Sequence, residues 1–183
     1  MGYEVAINKA WEELLSLNPP APLSVKFLAD EYSLDVATKK IFSLSCNTPA
    51  KDFVAILLLH YLSQKLRGLP ELAGEWVSFK ELSGIEGYAA AFRKRTIEPI
   101  IRKYGKNPAG VFAVLEKLPA SKVAQADAAI VVEAFSAVPV LVELWRGDEE
   151  FGPEANILFD RSISRIFCTE DIVVLAQFVA IAL

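Results

Sequence analysis

Histidine, cysteine and methionine are nearly absent from this chain of 183 residues, which has one His, two Cys and one Met. Two cysteines, Cys46 and Cys168, are too few for a disulfide scaffold or a four-thiolate cluster. They fit a cytoplasmic protein with reduced thiols. A zinc site built from His60, Cys46 and Cys168 would need closely spaced ligand pairs that are missing here. Cationic excess is missing too. The formal net charge is −4, which argues against a general nucleic-acid binder, because phosphate contacts need concentrated Lys and Arg. No apolar run spans a bilayer: residues 53–62 contain His60, residues 172–183 contain Gln177, and both fall short of the roughly 20 residues required. The first nine residues lack the basic and apolar regions of a secretory leader. There is no phosphate loop, GxGxxG turn, GxSxG elbow, Cys–His nucleophile spacing, internal repeat or low-complexity linker.

Apolar residues are what the chain has in plenty. They make up 53% of it, with a mean hydropathy of +0.32, and this implies a thoroughly buried core, an oligomer interface, or both. The length fits one domain over residues 1–183.

The most decided stretch is 130–160. Ile130 to Phe135 and Val140 to Trp145 are β-branched runs separated by Ser136 to Pro139, the pattern of an antiparallel hairpin. Pro139, with no N–H, belongs at the turn or at the first residue of the second strand. A polar loop from Arg146 to Pro153 leads to a third strand at Asn156 to Asp160, giving a meander. Tyr32 to Val36 and Lys40 to Leu44 predict a second hairpin turning at Ala37 to Lys39, with Ser43 and Ser45 on its wetter face. Helical spacing of Tyr3, Ile7, Trp11, Leu14 and Leu15 predicts a first helix, ended by Asn18-Pro19-Pro20.

Asn47-Thr48-Pro49 reads as the start of an apolar helix running to Leu66 and stopped by Gly68. Ser78 with Glu81 forms a capping-box pattern. Tyr88 to Tyr104 is helical with a break near Thr96, since a Thr96 cap would place Pro99 in the first turn. Gly105 suits a left-handed residue after the helix end. Asn107-Pro108 starts a further helix, closed by Pro119. Asp160 or Ser162 caps a turn reaching Ile166, and Thr169 caps the final helix. The expected fold is α+β: a mainly antiparallel sheet packed by apolar helices.

Candidate chemistry is sparse. His60 sits mid-helix on an apolar segment, where bonding a carbonyl or carboxylate competes with roles as axial ligand, proton shuttle or general base. Between Glu143 and Asp160 lies an acidic group with Asp148, Glu149, Glu150 and Glu154, able to offer oxygens to a hard cation but without EF-hand spacing. A basic stretch with Arg93, Lys94, Arg95, Arg102, Lys103 and Lys106 could take a phosphate-bearing ligand or an acidic partner, or dock the acidic loop within the fold. Trp76 beside Glu75, and Trp145 beside Arg146, are aromatic–charge pairs of the kind that line pockets.

The segments 74–82, 91–99 and 144–160, together with 57–62 upstream and 169–171 downstream, resemble domain of unknown function 3786. That is an uncharacterised family found mostly in anaerobic bacteria and archaea. The resemblance covers nearly the whole chain and implies an α+β domain, but it carries no reaction. His60, Trp76, Arg93, Arg95, Trp145, Asp148, Glu149, Glu150 and Asp160 match its segments. Some relatives add a cysteine-rich, ferredoxin-like segment. This chain departs from that pattern, so no iron–sulfur cluster is implied.

Three functions remain open. The first is a non-catalytic accessory protein of anaerobic metabolism that holds a small anionic ligand or a protein partner. The second is an enzyme using Glu75, Asp148, Glu149 and Asp160, with or without a divalent cation, which requires two of those carboxylates to converge in a pocket. The third is a homo-oligomer assembled through the apolar final helix. The cofactor is unknown on all three.

Overall fold

The run of β-branched residues at 130–145 folds as the hairpin its alternation predicts. In the computed structural model, which describes residues 2–85 and 87–183, it forms β7 (Ala128–Phe135) and β8 (Val138–Trp145). Ser136 and Ala137 make the turn, with Ala137 left-handed at φ 61°. Pro139 is the second residue of β8, opposite Glu133. The register slips between Glu133 and Phe135, beside the position where proline has no N–H to give. The third strand of the meander, β9 (Glu154–Asp160), pairs with β8.

Sequence periodicity did not reveal two further strands of this sheet. β5 (Trp76–Ser78) adds to β9 and β6 (Ala120–Val123) adds to β7, giving the order β5-β9-β8-β7-β6. Three- and four-residue strands are too short for alternation to show, and only pairing defines them.

The second hairpin, β2 (Asp30–Asp35) with β3 (Lys40–Ser43), belongs to a separate antiparallel sheet. That sheet also contains β1 (Leu23–Phe27) and β4 (Thr48–Pro49), in the order β1-β2-β3-β4. Two expectations fail here. The serine face of β3 points inward: Ser43 is buried and donates to Asp30 Oδ2 at 2.6 Å, while Leu44 is exposed. Thr48 and Pro49 do not start a helix but pair with Ser43 and Phe42, and the Ala50 N–H bonds Ile41 O at 2.8 Å. Strand pairing outweighs the local capping preference, so α2 (Asp52–Arg67) begins three residues later without a side-chain cap.

The remaining helices are α1 (Gly2–Ser16), α3 (Ala89–Arg95), α4 (Ile97–Tyr104) and α5 (Thr169–Ala182). The break at Thr96 is where Pro99 requires it. The Thr96 hydroxyl nevertheless reaches back to Phe92 O at 2.7 Å instead of capping α4. The N-cap of α5 is Cys168, and the Thr169 hydroxyl bonds Ser83 O at 3.2 Å. Gly105 is right-handed helical (φ −58°), so chain reversal does not explain it. A Cβ there would come within 2.6 Å of Ile101 O and 2.8 Å of Pro153 Cγ, and these close approaches are what require glycine. The segment Pro108–Glu116 winds as a 3-10 helix with Val111 and Val114 buried.

Helix α2 is the pivot of the core. Leu57, Leu58 and Leu59 are wholly buried, as an apolar helix covered on most sides must be. Its Tyr61 ring stacks on Phe135 of β7 at 4.2 Å, and Phe27 of β1 stacks on the same Phe135 at 4.6 Å. One phenyl ring thus joins the helix to both sheets. At roughly 3–5 kcal/mol for a buried Phe truncated to Ala, it is among the costliest side chains to lose. None of the described helices is long and apolar enough to cross a membrane.

Candidate functional site

His60 projects from α2 toward the first turn of α5, where its Nδ1 lies 2.7 Å from Asp171 Oδ2. The same carboxylate oxygen accepts from Cys168 Sγ at 3.2 Å. The Asp171 hydrogen bond holds the His60 pKa above its ordinary value, against the opposing effect of burial. Burial first, and then the Asp171 charge, pushes the Cys168 thiol up to about 12, so it is a donor and not a nucleophile at neutral pH. His60 therefore bonds a carboxylate, the alternative that tethers two core helices. Cys46 lies in the β3–β4 connection, and no group of three His, Cys, Asp or Glu among the described residues could hold a metal ion.

The carboxylates of the proposed enzyme fall in two places: Asp148 and Glu149 in the β8–β9 loop, and Glu75 and Asp160 at the other end of β9. Asp160, buried at the end of β9, accepts the N–H groups of Ala73 at 2.9 Å, Gly74 at 2.8 Å and Ser162 at 2.9 Å. Burial raises its pKa, but these bonds prevail and hold the carboxyl below the ordinary aspartate value. Glu75 is exposed and makes a two-pronged pair with Arg161, at 2.5 and 2.7 Å. Asp148 accepts the N–H groups of Glu150 and Phe151 within its own loop, which lowers its pKa, and Glu149 and Glu150 are exposed beside it.

The basic stretch and the acidic loop are not joined by charge pairing among the described residues. The ion pairs among the described residues are His60–Asp171, Arg67–Glu13 and Arg161–Glu75, and none joins the two stretches. They meet through the apolar contact of Gly105 with Pro153. Arg95 is exposed at the end of α3. Trp76 and Trp145 are half-buried, in register with Asp160 and Glu154 respectively. Helix α5 buries most of its circumference within its own chain, leaving Ile181 exposed and Val174 and Phe178 partly so.

Among the described residues, two clefts have volumes well inside the range of small-molecule sites. The larger, about 670 Å³, lies at the seam of the two sheets between Lys26, Asp30, Glu31 and Leu44 on one side and Glu133 to Ser136 on the other. Its polar groups are largely committed to hydrogen bonds on their own side of the seam or with α2. Asp30 is taken by Ser43 and Ser45, Glu31 by Ser24, Glu133 by the Ala137 N–H, and Ser136 O by the Tyr61 hydroxyl.

The second cleft, about 480 Å³, is bounded by α3, the segment from Ser78 to Lys80 and the middle of β9. Phe79, Ala89, Ala90, Phe92, Ile97, Ala155 and Ile157 form its apolar lining. Phe79 and Phe92 stack face to face at 4.2 Å, which fixes the shape of the floor. Lys80 and Arg93 are its charged residues, and neither has a carboxylate within 4.0 Å among the described residues. The Ser78–Glu81 capping box, formed as its spacing predicts, positions the Lys80 segment. Of the sequence candidates, only Arg93 lies here. Phe79, Lys80, Phe92 and Asn156 were missed, although 74–82, 91–99 and 144–160 each contain part of the wall; nothing in their spacing says that they meet.

Residues 14–182 match the family model described as a domain of unknown function, DUF3786. The chain belongs to this family. No curated protein and no solved structure matches it. The DUF3786 model spans every element that builds the smaller cleft, from β5 through α3 to β9, as well as the His60–Asp171 tether.

Proposed function

We propose that this DUF3786 chain is a non-catalytic binding protein that holds a small molecule in the cleft between α3 and β5–β9. The observation that carries the reading is the cleft itself. It is a preformed concavity with seven apolar residues and few polar groups, the general make-up of a ligand site. Among the described residues its lining has no carboxylate, histidine or cysteine to serve as general base or nucleophile. His60 and Asp160, whose pKa values are shifted, are committed to hydrogen bonds that hold the fold.

A fragment screen followed by amide chemical-shift mapping tests the assignment. Hits should perturb Ala89, Ala90, Phe92 and Asn156. They should disappear in Ala90→Trp, which places an indole in the cleft from an exposed position on α3 without touching the core. Hits that cluster elsewhere, or that survive the Ala90→Trp substitution, would refute it.

A further inference from the structure

The charges at the cleft define its ligand more narrowly than its volume does. The protein as a whole is acidic, at a formal net charge of −4, yet both charged residues lining this cleft are cations. Arg93 and Lys80 approach it from different elements, one from α3 and the other from the 3-10 turn after β5. Every side-chain carboxylate recorded in an ion pair has its partner elsewhere, so neither cation is neutralised by a contact within the described chain. Glu81, the acid nearest to Lys80 in sequence, is held by the Ser78 N–H and hydroxyl at 2.7 Å each. Arg161, the other cation of this neighbourhood, is occupied by Glu75. Two exposed cations without an ion pair among the described residues, lining an apolar cleft, favour an anionic group joined to an apolar body.

Resting on the reading of the cleft as a ligand site, we infer that its ligand is a small organic carboxylate with a flat apolar body. The body lies against the Phe79–Phe92 stack, and the carboxylate is held by Arg93 and Lys80. Arg93 provides the planar fork that suits a carboxylate, and Lys80 a mobile point charge. Ser78 and Asn156 supply further polar atoms on the lining. The larger cleft at the sheet seam cannot substitute, because Asp30, Glu31 and Glu133 line it and would repel the same anion.

Indoleacetate, indoleacetamide and tryptamine share one aromatic body and differ in the charge of the end group, so they separate the two claims. Titration of the whole protein by calorimetry, with amide shift mapping, should show indoleacetate at the cleft. It should bind about tenfold tighter than the amide, a difference of about 1.4 kcal/mol, with tryptamine weakest. That preference should vanish in the Lys80→Gln, Arg93→Gln double variant and persist in Lys94→Gln, which lies on the same helix outside the cleft. Equal binding of indoleacetate and indoleacetamide would overturn the anion inference while leaving the cleft reading in place. An indoleacetate preference that survives the double variant would overturn it as well, by placing the recognition elsewhere. Failure of all three to move the cleft amides would overturn both.

Discussion

Replacing Asp160 offers the sharpest test of how the cleft-bearing edge of the large sheet is held. Its Oδ1 accepts from Ala73 and Ser162, and its Oδ2 accepts from Gly74, so one carboxylate fixes the approach to β5 and the turn after β9 together. In Asp160→Ala three N–H groups lose their acceptor and the turn loses its cap. At about 1–3 kcal/mol for each unsatisfied buried group, less for those that water reaches, the loss should be about 3–5 kcal/mol. In Asp160→Asn the amide oxygen can keep Ala73 and Ser162, but the amide nitrogen then faces the Gly74 N–H, donor against donor. The expected loss is about 1–3 kcal/mol. Urea denaturation measures both, with an unchanged m-value as the check that the unfolded state is the same.

The pH dependence gives a second and independent reading. The folded-state pKa of Asp160 is depressed, so its contribution is present above the unfolded value of about 3.9 and lost as pH falls through the lower folded value. The gap between wild type and Asp160→Asn should therefore be constant from pH 5 to 7 and narrow below about pH 4. A loss under about 0.5 kcal/mol in Asp160→Ala would show that water satisfies these groups, and the argument from buried N–H donors would fail.

The His60–Asp171 tether has the opposite sign. Its folded-state pKa is raised, so its stabilisation is complete below the unfolded value of about 6.5 and lost as pH rises through the higher folded value. His60→Ala should cost about 1–2 kcal/mol at pH 5.5 and less at pH 8.5, by urea midpoints at each pH; a gap that widens with pH would contradict it. Ser63, on α2, is 1% exposed and its hydroxyl has no hydrogen-bond partner among the described residues. Ser63→Ala should stabilise the protein by about 1 kcal/mol, through removal of an unsatisfied hydroxyl and a gain in helix propensity. A lower urea midpoint for that variant would mean the hydroxyl has a partner in solution.

Local patterns carried much of the fold. The β-branched alternation at 130–145 and the Pro and Gly punctuation at 18–20, 68 and 96–99 mark real elements, because each acts within a few residues. Where a distant partner intervenes, local reading fails. Thr48-Pro49 has the chemistry of a helix start, yet β3 recruits it as a strand. Ser43 has the polarity of a surface residue, yet Asp30 gives it a buried partner. Gly105 meets two close approaches, one from Ile101 O in the turn it follows and one from Pro153, which lies 48 residues away.

The candidate site shows the same division more strongly. The sequence by itself determined the α+β class, the meander, the capping box and the family, since these depend on period, spacing and ordered segments. It also marked Arg93 as part of a basic stretch. Only the tertiary structure decided that Arg93, Lys80, Phe79 and Phe92 line one cleft, and that His60 is bound to Asp171. It also showed that Asp160 lies at the opposite end of β9 from Glu154 and the loop that carries Asp148, Glu149 and Glu150. Strand pairing, ring stacking and charge pairing join groups far apart along the chain and have no period, so they become definite only once the sheets and helices have packed.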